Sequence, residues 1–143
     1  MYVKVEDEGA RLYSLNELYQ DNPNTSFPAV PSIELLAGYG VHPCEVDPTP
    51  AYSEATHFVR LGALVERSGA WIQTWDVVEL EEDVAASNVR AVRNAEIASC
   101  DWTQVSDAPV NKTAWAAYRA ELRDIPEQAG FPFSVVWPTK PEL

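Results

Sequence analysis

Four side chains of this sequence have the chemistry of metal ligands, namely His42, Cys44, His57 and Cys100. His42 and Cys44 are two residues apart and would share one face of a β-strand, and with His57 and Cys100 they make a four-ligand set of the kind that zinc takes. The paired Cys-x-x-Cys spacing of structural zinc sites is absent from the sequence. We therefore interpret both cysteines as reduced structural thiols and expect no cofactor and no metal.

Two groups of side-chain oxygens could also bind a metal ion. Residues 79–83 hold four carboxylates, which could bind a cation or act as general acid and base, but no histidine or phosphate-binding motif accompanies them. At the start of a helix they complement the helix dipole, so we interpret them as a solvated face. Residues 21–24 lack the glycine and the distal glutamate of a calcium loop and predict a turn.

Motifs of catalysis are missing from the sequence. Neither histidine has a plausible catalytic nucleophile near it in sequence, since Cys44 is interpreted as a structural thiol, and there is no G-x-S-x-G, H-E-x-x-H, P-loop or Rossmann glycine pattern. The sequence therefore predicts a protein that is not an enzyme.

Length and charge narrow the class further. The 143 residues fit one domain or two very small subdomains. Ten basic against twenty-two acidic residues give a net charge of -12, which repels phosphate backbones and anionic membranes. The sequence has no apolar run of membrane-spanning length, and its first residues do not have the pattern of a signal peptide. We expect neither nucleic acid nor membrane as a partner.

Residues 1–50 predict an N-terminal αβ unit. A strand from Tyr2 to Val5, a turn over residues 6–10 and a strand around residues 11–13 form a hairpin. Ser14 and Glu17 form a capping box that opens a helix of about two turns. Ser32 caps a second short helix, residues 33–37, and residues 41–46 form a strand before the stiff connector at 47–50.

Residues 51–80 predict a β-hairpin. Residues 56–80 alternate with a period of two on both sides of Ser68-Gly69, and the glycine supplies the positive φ of the turn. Trp71 and Trp75 fall on one face of the second strand. That face could be a carbohydrate or peptide platform, but packing in a core is the commoner use and the one we favour.

Residues 81–100 predict a connecting helix, from Glu82 to about Ser99. Its larger apolar residues, Val84, Val89, Val92 and Ile97, are too widely spaced for one broad core face. We expect this helix to be extended and partly exposed, with a narrow stripe available to another helix or chain.

Residues 101–143 predict a C-terminal helix followed by a proline-rich tail, which makes the whole chain α+β. Asn111 is the expected N-cap, and the helix ends where Pro126 follows Ile125. One face carries Trp115, Tyr118, Leu122 and Ile125, and the opposite face Lys112, Arg119, Glu121, Arg123 and Asp124. The prolines of the tail exclude both a helix and a central strand, so we expect the apolar helix face to pack against Phe131 and Trp137.

The same residues carry a resemblance. The pattern DWTQ, then W-x-x-YR-x-x-LRD-x-P-x-Q-x-GFP-x-x-V-x-WP-x-x-P, resembles the C-terminal module of phage tail assembly chaperone and tail fibre assembly proteins, and LYSLNELYQDNPNTSFP resembles their N-terminal end. The resemblance implies a non-enzymatic helper whose partner is a phage tail or tail-fibre protein, acting in the host cytoplasm during assembly. A permanent virion component, at the tail tip, the baseplate or a fibre attachment point, is the alternative; a host-directed inhibitor fits the acidity but has no motif.

The predicted site follows from this module. Its residues, which form the module core or bind the partner, are Trp102, Trp115, Tyr118, Arg119, Leu122, Arg123, Gly130, Phe131, Pro132, Trp137 and Pro138. If the helix face is buried on its own tail, the hairpin surface around Trp71 and Trp75 or the long helix is left for the partner. Self-association into a homo-oligomer stays open at this point.

Overall fold

The computed structural model describes residues 1–7 and 9–142, so Glu8 of the predicted first turn and Leu143 at the end of the C-terminal module lie outside the described residues. The elements are β1 (Tyr2–Glu6), β2 (Gly9–Tyr13), α1 (Leu15–Asp21), α2 (Ile33–Ala37), β3 (Val41–Val46), β4 (His57–Arg67), β5 (Ala70–Glu79), α3 (Glu82–Ser99), a 3-10 turn (Asp101–Gln104), α4 (Lys112–Asp124) and a second 3-10 turn (Ile125–Glu127). The predicted α+β class is confirmed.

The chain divides into two compact units. The sheet unit comprises Met1–Pro50 and Val59–Asp76, and the helical unit comprises Ala51–Phe58 and Val77–Leu143. The four segments expected from the sequence, 1–50, 51–80, 81–100 and 101–143, stay a prediction about domain organisation.

A five-stranded sheet in the order β2-β1-β3-β5-β4 gives the sheet unit its name. β1 pairs antiparallel with β2 and with β3, so that Val3 faces Leu12 on one side and His42 on the other. β3 and β5 run parallel, with Cys44 opposite Trp71. The two outermost strands are therefore the short β2 and the eleven-residue β4.

The core of the sheet unit forms where the first helices cover the sheet. Tyr13, Leu18, Leu36 and Val41 are buried there, and Tyr2, Leu15, Phe27 and Tyr39 pack around them. The capping box of α1 is confirmed, because the Glu17 amide donates to Ser14 Oγ at 3.2 Å and the Ser14 amide donates to Glu17 Oε2 at 2.8 Å. Such caps matter in a seven-residue helix, which is too short to be stable by itself.

The β4–β5 hairpin turns where the sequence predicts. Gly69 has a φ of 81°, as expected, and Ser68 shares the left-handed region with a φ of 52°. Trp75 is half-buried and its indole Nε1 donates to the Asp47 carbonyl at 2.8 Å. Trp71 is also half-buried and borders an open depression of about 560 Å³ within the sheet unit.

The helical unit has a core of its own between α3 and α4. Its buried residues are Val89, Cys100, Trp115, Tyr118, Leu122 and Ile125, surrounded by Ala55, Ile97, Val110, Phe131 and Val135. On α3 the buried stripe consists of Ala85, Ala86 and Val89, whereas Val84 and Val92 are exposed. The stripe is narrow, as predicted, and two of these three buried residues are alanines. No helix within residues 1–7 and 9–142 is both long and apolar enough to cross a membrane.

Candidate partner-binding surface

Helix α4 buries the face that its spacing predicts. Its N-cap is confirmed, since the Ala114 amide donates to Asn111 Oδ1 at 3.1 Å. Trp115 is 1% exposed and Leu122 is fully buried. The rings of Trp115 and Tyr118 meet edge to face with centroids 5.8 Å apart. This face is occupied within the unit, so it offers no surface to a partner.

The prediction that Arg119 lies on the charged, opposite face of α4 is wrong. Position 119 follows Trp115 by four residues and precedes Leu122 by three, which puts it on the buried face, and the residue is 8% exposed. Its Nη1 donates to the Ile97 carbonyl at 2.7 Å, and its Nη2 donates to Asp101 Oδ1 at 2.6 Å. A cation beside the last carbonyls of α3 complements the dipole of that helix, and the carboxylate neutralises it.

The DWTQ motif forms the 3-10 turn that follows α3. Asp101 accepts from Arg119, and the fully buried Thr103 donates from Oγ1 to the Cys100 carbonyl at 2.7 Å. These two bonds hold the turn on both sides of Trp102. The Trp102 ring lies against Trp115, with centroids 6.4 Å apart, while 45% of the residue is exposed. The half-exposed Trp102 indole is thus held in place by the buried Trp115 and Thr103 and by Asp101.

Trp102 borders a surface depression of about 540 Å³, here named the Trp102 groove. The groove is lined by Ser99, Trp102, Trp115, Lys140, Pro141 and Glu142. Lys140 is drawn towards α3 by Glu96, with 3.7 Å between Nζ and Oε2. The indole Nε1 of Trp115 is buried and has no hydrogen-bond partner among the residues that the structure describes. The groove lining therefore combines the apolar side chains of Trp102, Trp115 and Pro141 with the charged Lys140 and Glu142.

Gln128 and Gly130 fix the path of the tail. The Gln128 amide pairs with the backbone of Val136 in both directions, Nε2 donating to the carbonyl at 2.9 Å and the Val136 amide donating to Oε1 at 2.8 Å. A side chain at Gly130 would collide with the backbone carbonyl of Ser134. Gln128 is absent from the predicted site, although it belongs to the quoted motif, because a lone glutamine gives no sign of where it bonds.

The tail packs against the helical core only partly as predicted. Phe131 contacts the helical core, and the guanidinium of Arg90 lies 5.0 Å above its ring. Trp137 does not share in that core: it is 40% exposed, and it lines a second depression of about 350 Å³ together with Pro132 and Val135. The valine two residues before Trp137 takes the core position instead.

The remaining residues of the predicted site do not line the Trp102 groove. Pro132 is buried and Pro138 is half-buried, whereas Arg123 is exposed, with its carbonyl accepting from Arg93 Nη1 at 3.4 Å. Trp71 and Trp75 belong to the sheet unit and do not form part of this surface.

Candidate metal ligands are spread over both units. Cys44 is buried in β3, and this burial raises the pKa of its thiol. His57 is hydrogen-bonded to Thr56 Oγ1 at 2.8 Å, and the Cys100 thiol donates to the carbonyls of α3. Within the part of the chain that the structure describes, no three His, Cys, Asp or Glu side chains are grouped so that they could hold a metal ion.

Fold and surface together define a small α+β protein whose helical unit presents an anchored aromatic residue at an open groove. Residues 86–142 match the sequence model of the family described as phage tail assembly chaperone protein. The match covers α4, the DWTQ turn and the tail, which confirms the resemblance drawn from their motifs. No curated protein and no solved structure matches the chain. The description of this family is one of phage tail assembly.

Proposed function

We propose that this protein binds a phage tail or tail-fibre polypeptide at the Trp102 groove and promotes its assembly or attachment without catalysis, in the host cytoplasm. The proposal rests on the family match over residues 86–142 and on one structural observation. That observation is the position of Trp102, which is 45% exposed although hydrogen bonds of Asp101 and Thr103 hold the turn that carries it.

Such an indole has the properties of a binding hot spot. Tryptophan contributes a large contact area with only two side-chain torsions to fix, and hot spots are enriched in it. Because Asp101 and Thr103 fix the turn before a partner arrives, little ordering remains to oppose binding. Val105, which is 52% exposed, adds apolar surface three residues further along the chain.

The net charge of this chain indicates the charge that its partner segment should carry. The chain carries a net charge of -12, so a partner segment with basic residues on each side of an apolar anchor is steered towards it. The groove lining includes Trp102, Trp115 and Pro141, and aromatic-lined grooves are a common binding site for extended segments. We therefore expect an extended, basic segment of the tail polypeptide as the ligand.

Co-expression with individual phage tail and fibre proteins, followed by affinity measurement on the complex that co-purifies, tests the proposal. Trp102→Ala should weaken binding at least tenfold, or about 1.4 kcal/mol, and leave the unfolding midpoint close to that of the unaltered protein. Trp137→Ala is the matched control, because Trp137 is similarly exposed at the second depression. Unchanged affinity of Trp102→Ala, or an equal loss in both variants, contradicts the proposal.

A permanent place in the virion is the alternative use of the same surface. Quantitative mass spectrometry of purified virions separates the two functions. An assembly factor is recovered far below one copy per tail or fibre, whereas a tail-tip, baseplate or fibre-adaptor component is recovered in a fixed ratio to its neighbours. Recovery in a fixed ratio would overturn the transient role and leave the binding surface in place.

A further inference from the structure

We propose that β4 is a self-association edge, through which two copies of this chain pair antiparallel about a two-fold axis at Ala63. This surface lies in the sheet unit and is independent of the Trp102 groove. It gives a structural basis to a homo-oligomer, which neither the family match nor the groove addresses.

The first argument is the state of the strand edge. β4 is an edge strand of the sheet, and residues 59–67 make no backbone–backbone hydrogen bond outside the sheet within the described parts of the chain. Two of its carbonyls, those of Gly62 and Ala63, accept from the side chains of Gln73 and Thr74 at 2.8 Å and keep one lone pair each for a further donor.

An edge strand presents alternate amides and carbonyls to one side, and natural proteins commonly protect such an edge by shortness, proline or charged side chains, lysine above all. β4 has eleven residues and contains neither proline nor lysine, and its charged residues, Arg60, Glu66 and Arg67, are of both signs. Leu61, at its centre, is 47% exposed.

The opposite edge differs. β2 has five residues, and its exposed Arg11 is engaged by the carboxylate of Glu17 at 3.1 Å. A strand as short as this follows the usual pattern of edge protection. Self-pairing is therefore expected at β4 and not at β2.

The second argument is charge complementarity in one register. In an antiparallel pair of identical strands, residues at equal distances before and after the two-fold axis face each other. An axis at Ala63 therefore places Arg60 of each copy opposite Glu66 of the other, which gives two facing pairs of opposite charge. The same register places Leu61 opposite Val65, and Ala63 faces itself. Facing opposite charges and facing apolar residues both stabilise an antiparallel pair.

Both charged groups are available for this pairing. Arg60 is 64% exposed in its side chain and has only a loose contact of 3.6 Å with the half-exposed Asp76. Glu66 is exposed and makes no ion pair among the described residues. The nine residues from 59 to 67 would pair over about 30 Å, a length typical of long strands in globular proteins.

A charge-swap experiment on the full chain tests the register. Sedimentation equilibrium should show a monomer–dimer equilibrium, and Arg60→Glu and Glu66→Arg should each weaken dimerisation at least tenfold, because each places like charges opposite one another twice. The double variant, Arg60→Glu with Glu66→Arg, should return the dissociation constant to within about threefold of the original. Arg11→Glu, on the other edge, should leave the equilibrium unchanged.

Cross-linking gives a second, independent readout. Ala63→Cys should form an intermolecular disulfide under mild oxidation, because facing Cα atoms of an antiparallel pair are separated by about 4.5–5.5 Å. Ala70→Cys, exposed at the start of β5, is the matched control and should not cross-link. A protein that stays monomeric at about millimolar concentration overturns the proposal. So does a dimer that resists both charge reversals or is not restored by the double variant.

Discussion

The two units differ in how they treat charged groups. In the sheet unit the charges stay at the surface: Tyr13 donates to Asp21 at 2.6 Å, and Lys4 and Arg11 lie 4.9 and 4.7 Å from the Tyr13 ring. In the helical unit one cation, Arg119, is buried and ties α4 to the end of α3. Surface charge networks tolerate change, whereas a buried cation demands its partners. The segment that matches the family model, residues 86–142, lies within the helical unit.

The largest expected effect is the loss of the aromatic core of the helical unit. Trp115→Ala should reduce the free energy of unfolding by about 3–5 kcal/mol, because it leaves a cavity where a fully packed indole stood. Urea-induced unfolding measures the loss. Val92→Ala, on the exposed side of α3, is the control and should change stability by less than about 0.5 kcal/mol. A loss below about 1 kcal/mol for Trp115→Ala would refute the buried position of this ring.

Arg119 gives the next effect. Arg119→Met should cost about 2 kcal/mol, because it removes the hydrogen bonds to the Ile97 carbonyl and to Asp101 together. Asp101→Asn should cost under about 1 kcal/mol, since the Asp101 side chain is 65% exposed and water replaces part of the bond. Thermal or urea unfolding of both variants checks the order. Equal losses would show that the carboxylate, and not the burial of the guanidinium, controls this contact.

The stability cost of replacing a glycine by alanine also differs between the two units. Gly130→Ala should cost about 1–3 kcal/mol, because a Cβ there meets the Ser134 backbone and the tail must shift. Gly69→Ala, in the sheet unit, meets no atom within 4 Å and should cost only about 1 kcal/mol, from its φ of 81°. Hydrogen exchange of Val136, whose amide bonds Gln128, reports the shift of the tail. Unchanged exchange of this amide in Gly130→Ala would contradict the steric account.

The smallest effect is the pH dependence of the sheet unit. The hydrogen bond from Tyr13, then that from Lys4, lower the pKa of Asp21. A carboxylate with a lowered pKa in the folded state stabilises it above the unfolded pKa of about 4, and this contribution is lost as the pH falls through the folded value. The stability difference between the unaltered protein and Asp21→Asn should therefore be constant from about pH 7 to 5 and shrink below about pH 4.

Tyr13 should make the stability of the sheet unit depend on pH in the alkaline range. Burial, followed by the bond to Asp21, raises the pKa of Tyr13 to about 12. Between the unfolded value of about 10 and that folded value the unfolded state loses its phenolic proton first, so stability should fall as the pH rises. Tyr13→Phe should remove this part of the alkaline loss. A slope that is the same in both proteins would show that Tyr13 is not the group responsible.

Local signals predicted the elements well and the contacts between them less well. The capping box at Ser14, the cap at Asn111 and the turn at Gly69 depend on a few neighbouring residues, so the sequence shows them directly. The parallel pairing of β3 with β5 joins strands that are distant in sequence, and no local pattern encodes it.

In the candidate site the errors come from assigning residues by type. The charge of Arg119 predicts the solvent face, although its spacing from Trp115 and Leu122 puts it on the buried one. The size and apolarity of Trp137 predict a core position, and a proline-rich tail has no period that could correct this. Trp102 lay outside any periodic element, so its exposure could be seen only in the structure.

Hydrogen exchange of the chain, free and in complex with a co-purified tail or fibre polypeptide, tests most directly whether the helical unit holds the binding surface. The binding proposal predicts that the complex slows exchange at residues 99–105 and 139–142, which surround the Trp102 groove, and leaves β1 and β3 unchanged. Slowed exchange confined to the sheet unit, with the DWTQ turn unaffected, would contradict it.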